Sequence, residues 1–361
     1  MKSFYRYKNK VFALIMLGIV ATVAMDLFFV EERLFKALDY FYAFFLAIIF
    51  FQVLYPLYAN RRLTMYYWER TKKNRLSVLG LSFIAFLMIL AVVGPFFTVD
   101  PNLVNFDEKN LPPVGFAMTQ SVYDRSTGSF RTNETPGIWK HPLGTDDKGK
   151  DVLAMIVSGA RVSLQVGIMA TIIALMIGTI IGVSSAYFGG MVDNILMRFT
   201  DIMMTFPFFL LLVFIVFIFG ADLTLIILII GLTGWTGTAR IVRSEALSLR
   251  TREFILASKA LGASNARIIS RHLIPNVMSA LIVIATLSIP GVILAEAALS
   301  FIGLGDPTVA SWGRILNAGQ DNLDTTWWVA VEPGIMLFFT VLSFNFLGDG
   351  LRDAFDPRSD I

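Results

Sequence analysis

Residues 162–187 read VSLQVGIMATIIALMIGTIIGVSSAY and indicate the fold class of the whole chain. The stretch carries no charged side chain and is longer than the ~20 residues that a helix needs to cross the hydrocarbon of a bilayer. The chain has 361 residues, of which 56% are hydrophobic and 16% charged, whereas soluble proteins carry about 25% charged residues. One soluble core of this size is disfavoured, because single cores stop growing at about 250–300 residues. We therefore expect helices that span a membrane.

Seven further apolar runs have a similar length. They cover residues 11–30, 40–59, 77–97, 202–219, 223–239, 277–298 and 331–348. The first run follows several Lys and Arg residues, as a cleaved signal peptide would, but it is too long and lacks the small-residue exit of such a peptide. The pattern predicts an all-α polytopic membrane protein. A six-span core occupies residues 77–361, and residues 1–76 hold a cytoplasmic tail and an N-terminal two-helix hairpin of extra spans.

The positions of the basic residues predict the orientation. Cytoplasmic loops of membrane proteins carry an excess of Lys and Arg. With the N-terminus inside, the inner segments hold 20 of the 30 Lys and Arg residues. Most of the others lie between residues 98 and 161, and long segments are translocated regardless of charge. We expect a multi-pass protein of the cell membrane with both termini in the cytoplasm and one long outer segment, residues 98–151.

Composition also excludes several chemistries. The chain has no Cys and two histidines, His141 and His272, which are far apart in sequence. Disulfides, Cys-ligated zinc and thiol catalysis are therefore excluded, and we expect no metal, no cofactor and no catalytic constellation. The net charge of +3 is not gathered on one polar domain, so no nucleic-acid partner is expected.

Residues 144–151 nearly match a phosphate-binding P-loop. That motif requires Ser or Thr after its Lys, and Asp151 stands there instead. Asp146 and Asp147 would repel phosphate. We expect a structural turn here, and ATP hydrolysis has no other candidate site in the chain.

The predicted cytoplasmic stretch, residues 243–276, contains EFILASKALGASNARIISRHLIPN from residue 253 onward. Phe254, Ala257 and Leu261 share one helical face. Gly262 can adopt the left-handed conformation that ends a helix, and Ser264 suits the first position of a second helix.

In that second helix, Arg267 and Arg271 share a face, and Pro275 should end or kink the helix where the next span begins. A compact helix–glycine–helix element tethered between two spans is suited to transmit a push from a soluble partner. An amphipathic element lying among lipid headgroups is an equally good reading of the residues alone.

This stretch resembles the EAA loop of ATP-binding-cassette (ABC) importer permeases, whose short helix sits in a groove of the ATPase subunit. Residues 256–258 stand for its Glu-Ala-Ala, Gly262 for its Gly, and residues 272–275 for its closing block. The departures at Leu256 and His272 are typical of the oligopeptide/dipeptide (peptide/nickel) branch. The resemblance implies an ATPase-coupling loop formed by Leu256, Ala257, Ser258, Ala260, Leu261, Gly262, Ala263, Ser264, Arg267, Arg271, His272 and Pro275.

Three further blocks are similar to the same branch: residues 143–164, residues 296–313 and residues 345–358. The resemblance covers about residues 77–358 and points to the second, C-type permease, whereas residues 1–76 fall outside the six-span pattern. It implies a related second permease subunit, two ATP-binding subunits, an extracytoplasmic substrate-binding protein and a peptide substrate. Nickel chelates or oligosaccharides are alternative cargos of the same machinery. An ion-coupled secondary transporter is the other class of transporter considered.

Small residues and prolines suggest where spans pack and bend. Gly178 and Gly182, with Gly167 on the same helix, allow close approach of backbones, either to the partner permease or within this subunit. Pro207, Pro290 and Pro333 lie in or beside spans, and Pro290-Gly291 is the preferred candidate for a bend in the pathway.

Charged residues beside the spans complete the candidates. Glu296 is a candidate to line the route, with a structural role as the alternative. Arg198 and Asp201 are expected to pair locally. The outer segment either contacts the substrate-binding protein or only covers the outer mouth.

Overall fold

The computed structural model describes Ile15, Leu17, Gly18 and residues 61–124 and 129–355. The predicted spans 11–30 and 40–59 lie outside the described residues, apart from those first three positions. The chain divides into two compact units, Met1–Lys73 with Ser359–Ile361, and Asn74–Arg358. The described helix of the first unit is α1 (Arg61–Thr71).

The second unit is mainly helical. Its helices are α2 (Arg75–Val93), α3 (Val152–Phe188), α4 (Gly190–Thr205), α5 (Phe208–Phe219), α6 (Leu223–Thr233), α7 (Trp235–Arg250), α8 (Glu253–Ala260), α9 (Asn265–Ile268), α10 (Ile274–Phe301), α11 (Trp312–Gly319) and α12 (Trp327–Phe355). Within the described residues, five helical stretches are long and apolar enough to cross a membrane, and the bent pair α4 and α5 makes a sixth if counted as one span. This confirms the predicted all-α polytopic fold class.

Helix α3 lies at the centre of the unit and packs against α6, α7 and α10. Its glycines face these neighbours. A methyl group at Gly178 would lie 2.7 Å from the side chain of Thr238, and one at Gly182 would lie 2.5 Å from the carbonyl oxygen of Ala239. At Gly167 it would lie 2.7 Å from the side chain of Ile293. All three glycines are therefore engaged in packing within this chain, which favours that role over contact with a partner permease.

Two buried tryptophans connect α11 to the start of α3 and α12 to the turn that precedes α3. The indole nitrogen of Trp312 donates to the carbonyl oxygen of Ile156 at 3.0 Å, and that of Trp328 donates to the carbonyl oxygen of Thr145, also at 3.0 Å. Both side chains are almost fully buried. Each therefore combines a large apolar contact with a satisfied donor.

The span predicted at residues 202–219 is broken, which corrects the sequence-based boundaries. Helix α4 ends at Thr205, α5 begins at Phe208, and their axes differ by 76°. Phe206 between them is extended, with φ −77° and ψ 128°, as expected for the residue before a proline. The break therefore lies at Pro207. Helix α10, by contrast, continues through Pro290 as one helix, so the preferred candidate for a bend does not interrupt its helix.

Pro275 does not end its helix either, contrary to one of the two expected outcomes. The N–H of Ile274 donates to the carbonyl oxygen of Ile269, five residues back, in a π turn formed by Ile269–Leu273. This wider turn precedes a proline that lacks a donor and crowds the preceding turn. The helical stretch thus runs on from Asn265 to Phe301.

The outer segment contains a hairpin that the sequence analysis did not predict. Strands β1 (Ala117–Asp124) and β2 (Ser129–Pro136) pair antiparallel, with Ala117 opposite Pro136. Both strands are rich in polar residues along their whole length, so the apolar/polar alternation that signals a strand is weak.

We expect Gly182→Leu to destabilise the protein, because the added side chain must separate α3 from α7. Overpacking of this kind costs about 1–3 kcal/mol. The melting temperature of the detergent-solubilised chain, monitored by size-exclusion chromatography after heating, measures the loss of stability. Gly291→Leu is the matched control, since Gly291 lies inside α10 with no heavy atom within 4 Å of a Cβ placed there. Equal melting temperatures for the two variants would contradict the packing role of Gly182.

Candidate coupling surface and outer segment

The helix–glycine–helix segment, residues 253–276, forms as the sequence predicts. Helix α8 ends at Ala260, and Gly262 adopts φ 77°, a left-handed conformation that glycine tolerates without steric cost. Ser264 begins the second helix, and its side chain accepts a hydrogen bond from the backbone N–H of Arg267. The two helices are thus short, capped and joined at a sharp turn.

One side of this segment packs against the ends of α3 and α7. Ile255, Ile268 and Leu273 are all 0% exposed. They form one apolar cluster with Val183 on α3 and Val242 on α7, among other residues. This burial holds the segment on the helical core and argues against an element that floats separately among headgroups.

Polar contacts strengthen the attachment to α3. The hydroxyl of Tyr187 donates to Oδ1 of Asn265 at 2.7 Å. The ammonium of Lys259 lies 5.0 Å from the centre of the Tyr187 ring, within the range of a cation–π contact. Arg250, at the end of α7, donates to the carbonyl oxygen of Ala186 at 3.0 Å. Both helices of the segment are therefore linked to the end of α3.

The opposite side of the segment is exposed and apolar. Leu261 is 88% exposed, Leu256 54% and Phe254 40%. Arg267 and Arg271 are also exposed. A soluble partner could therefore receive the apolar tip in a groove and place acidic side chains opposite the two arginines.

His272 and Ser258 lie between the two helices of the segment. Nε2 of His272 is 3.4 Å from the hydroxyl of Ser258, and its ring centre is 6.2 Å from that of Phe254. Sequence comparison with the general EAA pattern marks His272 only as a departure. In the structure it joins the second helix to the first.

The pathway candidates lie on α10. Pro290 is buried, and Gly291 faces open space. Glu296 is 1% exposed, and its Oε1 accepts a hydrogen bond from the hydroxyl of Ser300 at 2.6 Å. Its burial within this chain favours the structural role over a route-lining one.

Asp201 does not pair with Arg198 as expected. Its Oδ1 lies 2.5 Å from Nη2 of Arg240 on α7. A longer-range partner therefore replaces the local one.

The outer segment is held by a cluster of charged side chains. Glu108 accepts hydrogen bonds from Lys140 at 2.6 Å and from Asn105 at 2.8 Å, and its Oε2 is 3.1 Å from Nε2 of His141. Nδ1 of the same ring is 2.6 Å from Oδ2 of Asp151. First the Lys140 ammonium and then His141 hold the pKa of the Glu108 carboxyl below its ordinary value.

Asp151 connects this cluster to the membrane core. Its Oδ1 accepts a hydrogen bond from the backbone N–H of Ala154 and caps the N-terminus of α3. The outer segment is thereby tied to the central helix.

The P-loop-like stretch is a closed turn. The backbone N–H groups of Lys148 and Lys150 both donate to Oδ1 of Asp146. Burial raises the pKa of the Asp146 carboxyl. A carboxylate thus occupies the donors that a phosphate would need, in agreement with the expected structural turn.

Within the described residues, no three His, Cys, Asp or Glu side chains come together in a group that could hold a metal ion. The described helices make the chain a polytopic membrane protein, and its family match places it among the permeases, which are components of transporters and not enzymes.

The chain belongs to the family of binding-protein-dependent transport system inner membrane components, whose model matches residues 174–361. A second model, described as the N-terminal TM domain of oligopeptide transport permease C, matches residues 63–113.

Individual relatives agree with this family. The chain is 40% identical to the dipeptide transport system permease protein DppC of Bacillus subtilis over 296 residues, 81% of this chain and 84% of that protein. It is 37% identical to the oligopeptide transport system permease protein OppC of Haemophilus influenzae over 296 residues, 81% and 88% of the two chains. With OppC of Escherichia coli K12 the identity is 38% over 276 residues, 76% and 86% of the chains.

Tyr187→Phe should loosen the helix–glycine–helix segment without unfolding α3. The substitution removes the donor to Asn265, and such a hydrogen bond contributes about 1 kcal/mol. Hydrogen–deuterium exchange of residues 253–268 should therefore accelerate by up to about fivefold. Exchange of α11, which lies elsewhere, is the internal control. Unchanged exchange of the segment would contradict the bracing role of Tyr187.

Glu108→Gln should remove a pH-dependent contribution to the order of the outer segment. Because the folded pKa of Glu108 is lowered below 4.5, the contribution is complete above that value and lost as the pH falls through the folded pKa. Above that pKa, hydrogen–deuterium exchange of residues 105–111 should be faster in the variant than in the wild type. Because Lys140 is largely exposed, the ion pair is weak and the increase should be less than about fivefold. After correction for intrinsic exchange, a difference that persists under strongly acidic conditions would contradict this assignment.

Proposed function

We propose that this chain is one of the two permease subunits of an ATP-driven importer and forms half of its translocation pathway. The helix–glycine–helix segment docks on a separate ATP-binding subunit. ATP binding draws two such subunits together, the docked segment moves with them, and the core spans reopen towards the other side of the membrane. Hydrolysis belongs to the partner subunits.

The exposed tip of the segment carries this proposal. Leu261 is 88% exposed, although Ile255 and Ile268 behind it are fully buried on α3 and α7. Leu261, Leu256 and Phe254 together expose an apolar patch, and such patches mark surfaces that a partner covers. The arginines at 267 and 271 provide charges beside that tip for orientation of the partner.

Peptides are the cargo we propose. This is supported by its relatives in Bacillus subtilis and Haemophilus influenzae, which are named as dipeptide and oligopeptide transport permeases. Nickel chelates and oligosaccharides remain the alternative cargos. An extracytoplasmic binding protein delivers the substrate and supplies most of the selectivity, and the outer segment 98–151 is its contact surface.

The proposed location is the cell membrane, with both termini in the cytoplasm. The distribution of Lys and Arg along the sequence supports this orientation. It places residues 253–276 on the ATP side and the Glu108 cluster outside. A second, related permease completes the pathway.

Gly262→Val should uncouple ATP hydrolysis from uptake. A β-branched residue at φ 77° costs about 1–2 kcal/mol in the left-handed conformation, so the turn at the tip should change shape. In proteoliposomes of the complete complex, peptide uptake per ATP hydrolysed should fall about tenfold, with the chain still inserted in the membrane. Arg267→Glu combined with Arg271→Glu should act similarly by repelling the partner surface.

Gly303→Val is the matched control, because Gly303 has φ 86° and open space around it, as Gly262 does, but lies after α10. Wild-type uptake in the Gly262 and arginine variants would refute the docking role. Purified wild-type complexes without an ATP-binding subunit would refute the proposed function as a whole.

A further inference from the structure

Helix α4 has a potential hinge at each end. Gly189 lies between α3 and α4, and it and Gly190, the first residue of α4, both have positive φ, 66° and 53°. At its other end lies the 76° break before α5. Hinges in proteins are residues at element ends that absorb changes in φ and ψ. Helix α4 thus has two places where its orientation can change.

Between these two hinges, an ion pair binds α4 to α7. The guanidinium of Arg243 binds Asp193 through two bonds, Nε to Oδ1 and Nη2 to Oδ2, each 2.6 Å long. The hydroxyl of Ser185 on α3 also donates to Asp193. The side chains of Asp193 and Arg243 are only 18% and 32% exposed. A partly buried two-bond pair of this kind is stronger and more directional than a surface ion pair.

Two further contacts join α4 to α7. Arg240 pairs with Asp201 at 2.5 Å, but both side chains are about half exposed. The ring of Phe199 stacks on that of Trp235 with centres 5.8 Å apart and an interplanar angle of 17°. Of the two ion pairs between α4 and α7, Asp193–Arg243 is therefore the more shielded from solvent and the stronger.

Helix α7 leads directly into the helix–glycine–helix segment. Only Thr251 and Arg252 separate it from α8, and Ala246 on α7 belongs to the same buried cluster as Ile255 on α8. A force on the exposed tip therefore has a direct route to α7.

We propose that α4 relays this movement to the break at Pro207, and that Asp193 and Arg243 are the positioning residues that make α4 follow α7. Because α4 has a hinge position at each end and is bound to α7 through Asp193 in its first turn, a shift of α7 changes the angle between α4 and α5. The inference rests on the proposed coupling function and deepens it. It assigns the relay to the broken span, not to Pro290 on α10.

Spin labels on the assembled complex test the relay. The chain has no Cys, so introduced cysteines are the labelling sites of this subunit. Ile202 on α4, Ile241 on α7 and Phe338 on α12 are 58%, 48% and 62% exposed. Helix α12 packs on α2, α10 and α11 and provides a reference outside the relay.

In the otherwise wild-type complex, the distance between labels in Ile202→Cys/Phe338→Cys should change between the nucleotide-free and ATP-bound states. The distance in Ile202→Cys/Ile241→Cys should stay constant, since α4 and α7 move together. A nucleotide-dependent change in the second pair would overturn the proposal, whatever the variants below do.

Asp193→Asn/Arg243→Gln should abolish the Ile202–Phe338 distance change while ATP-binding subunits stay bound. Cargo taken up per ATP hydrolysed should fall about tenfold, a typical size for coupling between sites. Arg243→Lys keeps the charge but not the two-bond geometry, so its loss should be intermediate. If the pair served folding alone, the double variant would lower the amount of assembled complex but leave the uptake per ATP of the assembled complexes unchanged. That result would overturn the positioning role.

The matched control is Asp201→Asn/Arg240→Gln, which removes the same charges from the same two helices at an exposed pair. Its effect on uptake per ATP should be less than about threefold. An equal loss in both double variants would assign the effect to the loss of any ion pair between α4 and α7 and overturn the specific role of Asp193 and Arg243. Wild-type uptake per ATP in the Asp193/Arg243 variant would also overturn it, while leaving the coupling function of residues 253–276 intact.

Discussion

The close approach of α3 and α7 is the constraint on which the rest of the structure depends. Gly178 and Gly182 leave no room for a side chain against α7, so the two backbones approach at these positions. In a membrane, packing of small residues of this kind takes over much of the role that hydrophobic burial plays in water. It also sets where the ends of both helices lie, and the buried cluster around Val183 and Val242 forms there.

The helix–glycine–helix segment inherits its position from that cluster. Its first helix, α8, has eight residues and is too short to be stable alone, because helices below about 12 residues are marginal in water. Ile255, Ile268 and Leu273 are buried on α3 and α7, and Tyr187 adds a hydrogen bond to Asn265. Packing on α3 and α7 thus fixes the conformation of the segment, which presents its apolar tip to a partner.

Charged side chains are concentrated at joints between elements. Asp151 caps α3 and holds His141, which connects the outer segment to the core. Asp193 accepts hydrogen bonds from Arg243 and Ser185 and so connects α3, α4 and α7 near the opposite end of α3. In both places the carboxylate accepts several hydrogen bonds, which offsets the cost of its partial burial.

Much of this protein follows from local sequence. Apolar runs of span length with few charges predict membrane helices, because the length and hydropathy of a run are read directly from its own residues. Gly262 and Ser264 predict the turn and the helix cap, because a positive φ and a hydrogen bond to a nearby N–H depend only on neighbouring residues. Other features were decided by tertiary contacts: which proline breaks a span, Pro207 and not Pro290; which partner Asp201 binds, Arg240 and not Arg198; and what Gly178 and Gly182 pack against. The reason is physical. A proline or a carboxylate carries its capacity to bend or to pair in its own chemistry, but only the neighbours that the fold brings to it determine whether, and with which residue, that capacity is used.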